Sequence, residues 1–255
     1  MTLPKYVEDA RILTQKERME GVFEIIVSSE KIAAEAKPGQ FVQLGLPEGE
    51  TILRRPVGIA ARDEEKKRLT FFYRVVGHGT GLLASHQAGD NLSILGPLGH
   101  GFSVEAKRPL LVGGGIGLSP LLSWAQAFPG RADVLMGGKT AVELFWQEDF
   151  RPFVREIHIT TDDGSLGTKG FTVAILPELL QKNSYDCVMV CGPERMMRAT
   201  AEIAKKARVP CQVSLEKRMA CGLGACLSCS VDGQDGRRRK VCKDGPVFWA
   251  EEVFP

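Results

Sequence analysis

Three thiols fall within nine residues, "CGLGACLSC" at positions 221–229, and a fourth follows at position 242 in "KVCKDGP". The spacing C-x4-C-x2-C-x12-C limits this part of the chain more than anything else in the sequence, because the strand and helix patterns that precede it dissolve here. Cys221, Cys226, Cys229 and Cys242 follow the C-x4-C-x2-C…C order of plant-type [2Fe–2S] ligation. Structural zinc more often takes two C-x2-C knuckles, and the four residues between the first two cysteines break that scheme. Bacterial [4Fe–4S] runs use C-x2-C-x2-C, which this is not. A zinc staple or free thiols are the competing accounts. Gly222 and Gly224 are expected to take positive φ, so that the loop curls and aims backbone N–H groups at sulfur. Such bonds stabilise sulfur charge and tune a cluster's potential.

Seven cysteines is an odd number, which fits a disulfide framework badly. The start "MTLPKYVEDARILTQ" lacks the apolar stretch of a secretory signal, and no run reaches the ~18 apolar residues of a membrane span. The expectation is a cytoplasmic chain under reducing conditions, where clustered cysteines read as metal ligands. Cys187, Cys191 and Cys211 read as small buried hydrophobes, with Cys191 a possible exception. A net charge of +2 over 255 residues calls for neither nucleic acid nor an acidic membrane. The one dense basic run, 237–240, reads as a solvated face, with a docking surface for a partner as the alternative.

Over the first hundred residues, runs at 21–29, 39–46, 52–60, 69–77 and 90–97 are rich in β-branched and aromatic residues and are separated by Gly, Pro and charge. They predict a small antiparallel barrel or sandwich, with one short helix over 79–86. From residue 108 the rhythm changes. The apolar run "PLLVGG" reads as a strand buried on both faces, and Ser119-Pro120 reads as an N-cap and first helical residue. Strand and helix then alternate to about residue 210, which argues for a parallel sheet with helices on its faces. The expected fold is therefore α+β and multidomain. An N-terminal antiparallel β-barrel spans 1–100, a central α/β parallel-sheet domain 101–215, and a cysteine-bearing subdomain 216–255.

Gly113, Gly114, Gly115 and Gly117 lie between a strand and a helix, where backbone can approach a pyrophosphate and a helix start offers N–H donors. This is not the G-x-G-x-x-G fingerprint, whose third glycine would fall at Leu118. Lys139 stands where an acid for the ribose hydroxyls would be expected. Cys191-Gly192-Pro193 would sit at a carboxyl end of the same sheet, ahead of a helix opened by Glu194. In the barrel, "RRPVG" places Arg54 and Arg55 on opposite faces, one toward a ligand and one toward solvent. A guanidinium fork suits a diphosphate. "FFYRVVGHGTG" adds Tyr73, Arg74 and, at a helix start, Gly79 and Thr80. A solvated arginine pair, a core aromatic strand and ordinary ligand-free turns account for each of these segments taken singly. His78, His86, His100 and His158 show no metal-ligand spacing.

Taken in order, "RRPVGIA", "YRVVGHGTGLL", "GPLGHGF", "VGGGIGLSPLL", "TDDGSLGTKGF", "CGPERMM" and "SLEKRMACGLGACLSCSV" with "KVCKDGPVF" resemble the electron-transfer subunits of bacterial type B dihydroorotate dehydrogenases, within the ferredoxin–NAD(P)+ reductase superfamily. The resemblance covers nearly the whole chain. It implies an NAD-dependent flavin and iron–sulfur oxidoreductase subunit of pyrimidine biosynthesis. The barrel would bind FAD through Arg55, Pro56, Val57 and Gly58, through Phe72, Tyr73 and Arg74, and through Gly79 and Thr80. Gly58 departs from the family's serine. The α/β domain would take NAD at Gly113, Gly114, Gly115 and Gly117 and at Cys191, Gly192 and Pro193, and the four tail cysteines would hold the [2Fe–2S] cluster. The partner would be an FMN-containing catalytic subunit that oxidises dihydroorotate, in a heterotetramer of two of each. No catalytic residue is expected in this chain. The alternatives are a ferredoxin–NADP+ reductase-like or hydrogenase-linked NAD(P)H diaphorase subunit and, from another class, a non-enzymatic zinc-stapled regulator.

Overall fold

The computed structural model describes residues 4–46 and 51–255, so positions 1–3 and 47–50 of the expected barrel lie outside the described residues. The first strands are β1 (Tyr6–Met19), β2 (Val22–Ser28), β3 (Phe41–Leu44), β4 (Arg55–Asp63), β5 (Arg68–Arg74) and β6 (Asn91–Leu98), with α1 (Lys31–Glu35) and α2 (His78–Ala84) between them. They close an antiparallel barrel in the order β1-β2-β5-β4-β3-β6. Alternation decides what fills it. Val42 and Leu44 of β3, Val57 and Ile59 of β4, and Leu69, Phe71 and Tyr73 of β5 share the interior cluster. The intervening residues, Phe41 and Gln43, Pro56 and Gly58, and Phe72, therefore point outward. Gln43 stands opposite Pro56 and Phe41 opposite Gly58 in the β3–β4 ladder.

The second unit is built on β7 (Pro109–Gly114), α3 (Leu118–Ala127), β8 (Asp133–Gly138), α4 (Trp146–Phe150), β9 (Ile157–Thr161), β10 (Thr168–Lys169), α5 (Leu176–Lys182), β11 (Cys187–Cys191), α6 (Glu194–Lys206) and β12 (Cys211–Ser214). The last segment adds β13 (Ser230–Asp232), β14 (Arg238–Lys240), β15 (Val247–Trp249) and α7 (Ala250–Val253). The large sheet runs β10-β9-β8-β7-β11-β12-β15. All its neighbours are parallel except β15, which pairs antiparallel with β12. Every residue of β7 and β11 is buried, as central parallel strands covered on both faces require. In α6, Met197, Thr200, Ala201 and Ala204 are buried at helical spacing, and the helix runs from Glu194 to Lys205 and Lys206, charges that complement its dipole.

One apolar cluster joins the barrel's Phe41 and Leu98 to Leu110, Val112 and Val190 of the sheet and to Val241, Cys229 and Cys242 of the tail. At the opposite ends of the strands Asp133 is only 1% exposed. It accepts a 2.7 Å hydrogen bond from Tyr185 Oη and lies 3.8 Å from Arg108 Nη2.

Two sequence expectations need correction. Ser119 does not cap α3: a 3₁₀ turn over Gly115–Gly117 has already wound the chain, so the helix starts at Leu118 and the Ser119 hydroxyl is buried without a partner. Arg54 does not face solvent. It precedes β4, and its guanidinium donates to Ser93 O at 3.1 Å and Ser93 Oγ at 2.9 Å, tying β6 to the strand start.

Candidate functional site

Arg55 opens β4, and its Nη1 donates to Leu53 O at 2.5 Å. Its guanidinium lies over Gly79 at the start of α2, where an added Cβ would fall 2.1 Å from Nη2. The turn before that helix is ordered by Thr80, whose Oγ1 accepts from the N–H groups of Val76 at 2.8 Å and Gly77 at 3.2 Å. Arg55, Gly79 and Thr80 thus come together, with Thr80 engaged by its own turn. Val57 is buried inside the barrel, and Pro56 and Gly58 are half-buried on its outer face. A Cβ on Gly58 would meet only Pro120 of α3, at 3.9 Å, so the strand does not require glycine there and a serine would fit.

Phe72, Tyr73 and Arg74 diverge. Phe72 packs against Trp146 with ring centroids 4.5 Å apart. Tyr73 points into the barrel and stacks on Phe23 at 5.7 Å, and Arg74 is exposed. The Tyr73 hydroxyl is buried without a partner, and burial pushes its acidity well below that of a free phenol.

The two α/β turns meet. β7 and β11 are parallel neighbours with Gly113 opposite Cys191. A Cβ on Gly117 would lie 2.5 Å from the Cys191 carbonyl oxygen and 2.7 Å from Gly192 Cα. A Cβ on Gly192 would lie 3.2 Å from Gly114 N. Gly113, Gly114, Gly115 and Gly117 therefore share one end of the sheet with Cys191, Gly192 and Pro193, at the carboxyl ends of strands where α/β sheets bind ligands. Burial, with Glu216 nearby, raises the Cys191 pKa far above the ordinary range, so it stays a neutral thiol. One group at this end escaped the sequence reading. Glu143, four residues past Lys139, accepts from the Lys139 N–H at 2.8 Å and puts a carboxylate at the end of β8. The only signal was an acid just beyond "GGK".

In the tail, Gly222 and Gly224 have φ +68° and +84°, and Leu227 shares that region at +64°. The four sulfurs fall as two neighbouring pairs, Cys221 beside Cys226 and Cys229 beside Cys242. Among the described residues no three His, Cys, Asp or Glu side chains converge as a metal site would have them. The chemistry of the donor set still fits a binuclear cluster, in which each iron takes two thiolates. The Leu223 N–H points at Cys221 Sγ at 3.3 Å, and the Cys242 N–H at Cys229 Sγ at 3.4 Å. Hydrogen bonding with Ser228 lowers the Cys226 thiol to about 6, whereas burial beside Cys229 pushes Cys242 up to about 12. Two carboxylates partner the basic run, Asp232 with Arg238 at 3.5 Å and Asp235 with Arg239 at 2.9 Å, while Lys240 Nζ keeps its charge and donates to Gly224 O at 3.1 Å. No helix among the described residues is long and apolar enough to cross a membrane.

An antiparallel barrel followed by a parallel α/β sheet is the ferredoxin–NADP+ reductase fold. It is shared with the ferredoxin NADP+ reductase of Neisseria gonorrhoeae at TM-score 0.64 and 20% identity, over 79% of this chain and 91% of that one. A structure of the NADH-dependent reduced ferredoxin–NADP oxidoreductase matches more fully, at TM-score 0.84 and 30% identity over 96% of this chain and 90% of that chain. The class is thus a flavin and nicotinamide oxidoreductase with an added cysteine segment. That segment, residues 216–254, matches the iron–sulfur cluster binding domain of dihydroorotate dehydrogenase B. Over 96% of its length the chain is 40% identical to a dihydroorotate dehydrogenase B (NAD(+)) electron transfer subunit of Caldanaerobacter subterraneus subsp. tengcongensis, covering 97% of it. The Clostridium acetobutylicum subunit is 37% identical, with 92% of each chain covered. The chain belongs to the family of dihydroorotate dehydrogenase B (NAD(+)) electron transfer subunits, and its work is electron transfer.

Proposed function

We propose that the chain carries electrons between NAD+ and the FMN of a partner subunit that oxidises dihydroorotate to orotate. It would do so through FAD and a [2Fe–2S] cluster, in the cytoplasm and in a heterotetramer of two of each subunit. This reading divides the chain into an FAD-binding barrel over 1–100, an NAD-binding domain over 101–215 and a cluster-binding subdomain over 216–255. Arg55, lying over Gly79, would take the FAD diphosphate with its fork, while Thr80 keeps the turn in shape. Pro56, Val57, Gly58, Phe72, Tyr73 and Arg74 complete the flavin site on this reading. Tyr73 contributes a buried hydroxyl that lacks a partner. The paired turns at Gly113, Gly114, Gly115 and Gly117 and at Cys191, Gly192 and Pro193 would receive the dinucleotide. The neutral Cys191 thiol would add no charge to that site. Cys221, Cys226, Cys229 and Cys242 would ligate the irons.

When bound, FAD exchanges a hydride with nicotinamide and single electrons with the cluster. The chain's own residues then have to bind, orient and exclude water. No general base is needed here, because proton abstraction from dihydroorotate falls to the partner.

The observation that carries the reading is adjacency. β4 faces α3 across Gly58 and Pro120, while its ladder neighbour β3 touches the cysteine loop at Gly222. One strand pair thus borders both the helix that follows the glycine turn and the cysteine loop, which supports a route between them. The test is anaerobic purification with the partner subunit. Flavin absorbance, a binuclear-iron electron paramagnetic resonance (EPR) signal after reduction, and dihydroorotate–NAD+ turnover are expected. Zinc with neither chromophore overturns the proposal. A second reading, a ferredoxin–NADP+ reductase-like subunit, draws support from the match to the NADH-dependent reduced ferredoxin–NADP oxidoreductase structure. Co-purification with a ferredoxin-type partner and preference for NADPH would favour it.

A further inference from the structure

Gln43 is fully buried, and neither atom of its carboxamide has a hydrogen-bond partner among the described residues. Burying a carboxamide with both ends unsatisfied is costly, and folded proteins seldom leave one so. Its neighbour in sequence, Gln40, is equally buried and shows the ordinary solution: Nε2 donates to Gly99 O at 2.7 Å and Oε1 accepts from Lys37 N at 2.7 Å. Gln43 has no such arrangement, and its direction is fixed. Val42 and Leu44 fill the barrel, so Gln43 leaves by the outer face. There it meets Gly222, where an added Cβ would lie 2.7 Å from Nε2 and 2.8 Å from Cγ. Gly222 directly follows Cys221, and its φ of +68° turns the loop toward the barrel. Arg54, close by, bonds the Gln43 backbone carbonyl rather than its side chain. Across the ladder stands Pro56, in the segment proposed to hold the flavin.

We infer that Gln43 is a positioning residue of the electron route: its Nε2 donates a hydrogen bond to sulfur on the Cys221 side of the cluster. This rests on the reading that the four tail cysteines hold a [2Fe–2S] cluster. An N–H donor offsets the negative charge added on reduction, so it raises the midpoint potential. It also fixes the cysteine loop against the strand that pairs with β4. The donor comes from the barrel rather than from the loop, so the cluster's potential depends on how the two units sit together.

The test compares the wild-type complex with Gln43→Leu and Gln43→Glu, using anaerobic redox titration followed by EPR. Gln43→Leu keeps volume and removes the donor. Its reduced-to-oxidised ratio at a fixed potential should fall about tenfold, a shift of about 59 mV for one electron. Gln43→Glu, which places a carboxylate there, should fall at least as far. NADH-driven flavin reduction should be unchanged in both. Variants that load the cluster with wild-type potential and g-values overturn the inference. Should neither variant load, pulsed EPR of reduced wild-type protein labelled with ¹⁵N-glutamine decides. Coupling to a side-chain amide nitrogen supports the bond, and its absence overturns it. A wild-type complex with no binuclear signal sinks the cluster reading itself, a result distinguishable from all of these.

Discussion

Gly117→Ala offers a quantitative test of how the two α/β turns cooperate. Gly117 has φ −62°, a helical value that alanine adopts freely, so the substitution strains no torsion. The cost is purely one of space. The new Cβ would stand 2.5 Å from the Cys191 carbonyl oxygen, 2.6 Å from its carbon and 2.7 Å from Gly192 Cα. Comfortable contact needs about 3.5–4.0 Å, so one backbone must retreat by about 1 Å. Overpacking of this kind costs about 1–3 kcal/mol, offset by about 0.4–1 kcal/mol from the stiffer unfolded chain, leaving a net loss of at most about 2.6 kcal/mol. A misplacement of about 1 Å between positioned groups can cost about 100-fold in rate. Anaerobic stopped-flow reduction of bound flavin by NADH should therefore slow by one to two orders of magnitude, with a raised KM. Gly130→Ala is the matched control. Its φ of +74° costs alanine about 1–2 kcal/mol of strain, but nothing lies within 4 Å of the new Cβ and the turn follows α3 away from the site. Flavin reduction in Gly130→Ala should match wild type. Equal rates in wild type and Gly117→Ala, or equal losses in both variants, would refute the reasoning.

Cys226→Ser should leave NADH-driven flavin reduction largely intact while stopping delivery to the partner, and full dihydroorotate–NAD+ turnover by this variant would contradict the relay assignment. Tyr185→Phe removes the 2.7 Å hydrogen bond to buried Asp133 and should cost about 1–3 kcal/mol, lowering Tm by about 2–12 °C, with no effect on flavin reduction. Glu8 accepts from Ser29 Oγ at 2.6 Å and from the N–H groups of Glu30, Lys31 and Ile32 at the start of α1. Burial works to raise its pKa, but these four bonds outweigh burial and hold it below its ordinary 4.5. Its stabilisation is therefore present above 4.5 and lost as pH falls through the folded value. Glu8→Gln should cost about 1 kcal/mol at pH 7, and the gap from wild type should close below pH 4.5; a gap independent of pH would be the contrary result.

The parts of the molecule that were legible in the sequence are those whose chemistry is local. Glycine at 222 and 224 follows from the left-handed backbone, and the apolar run at 109–114 from burial on both faces. β1 was missed because only Ala10 and Ile12 of its fourteen residues are buried. Its partners β2 and β6 hold it through the ladder rather than through an apolar pattern. β15 was missed for a related reason: three residues carry little period, and pairing with β12 is settled by chain return from the cysteine loop. Arg54 and Gln43 were opaque because their roles depend on β3 and β6 lying alongside. Phe72 and Tyr73, adjacent in sequence, serve opposite sides of one strand.

The return of β15 beside β12 has a mechanical meaning. Ser214 faces Val247 in the ladder, and Leu215 N–H bonds Pro246 O at 2.9 Å, so both ends of the cysteine segment are anchored at one point of the sheet margin. A segment tethered in this way is a cartridge rather than a tail. Whatever it carries keeps its bearing to the glycine turns at the end of β7 through solid β-structure instead of a hinge.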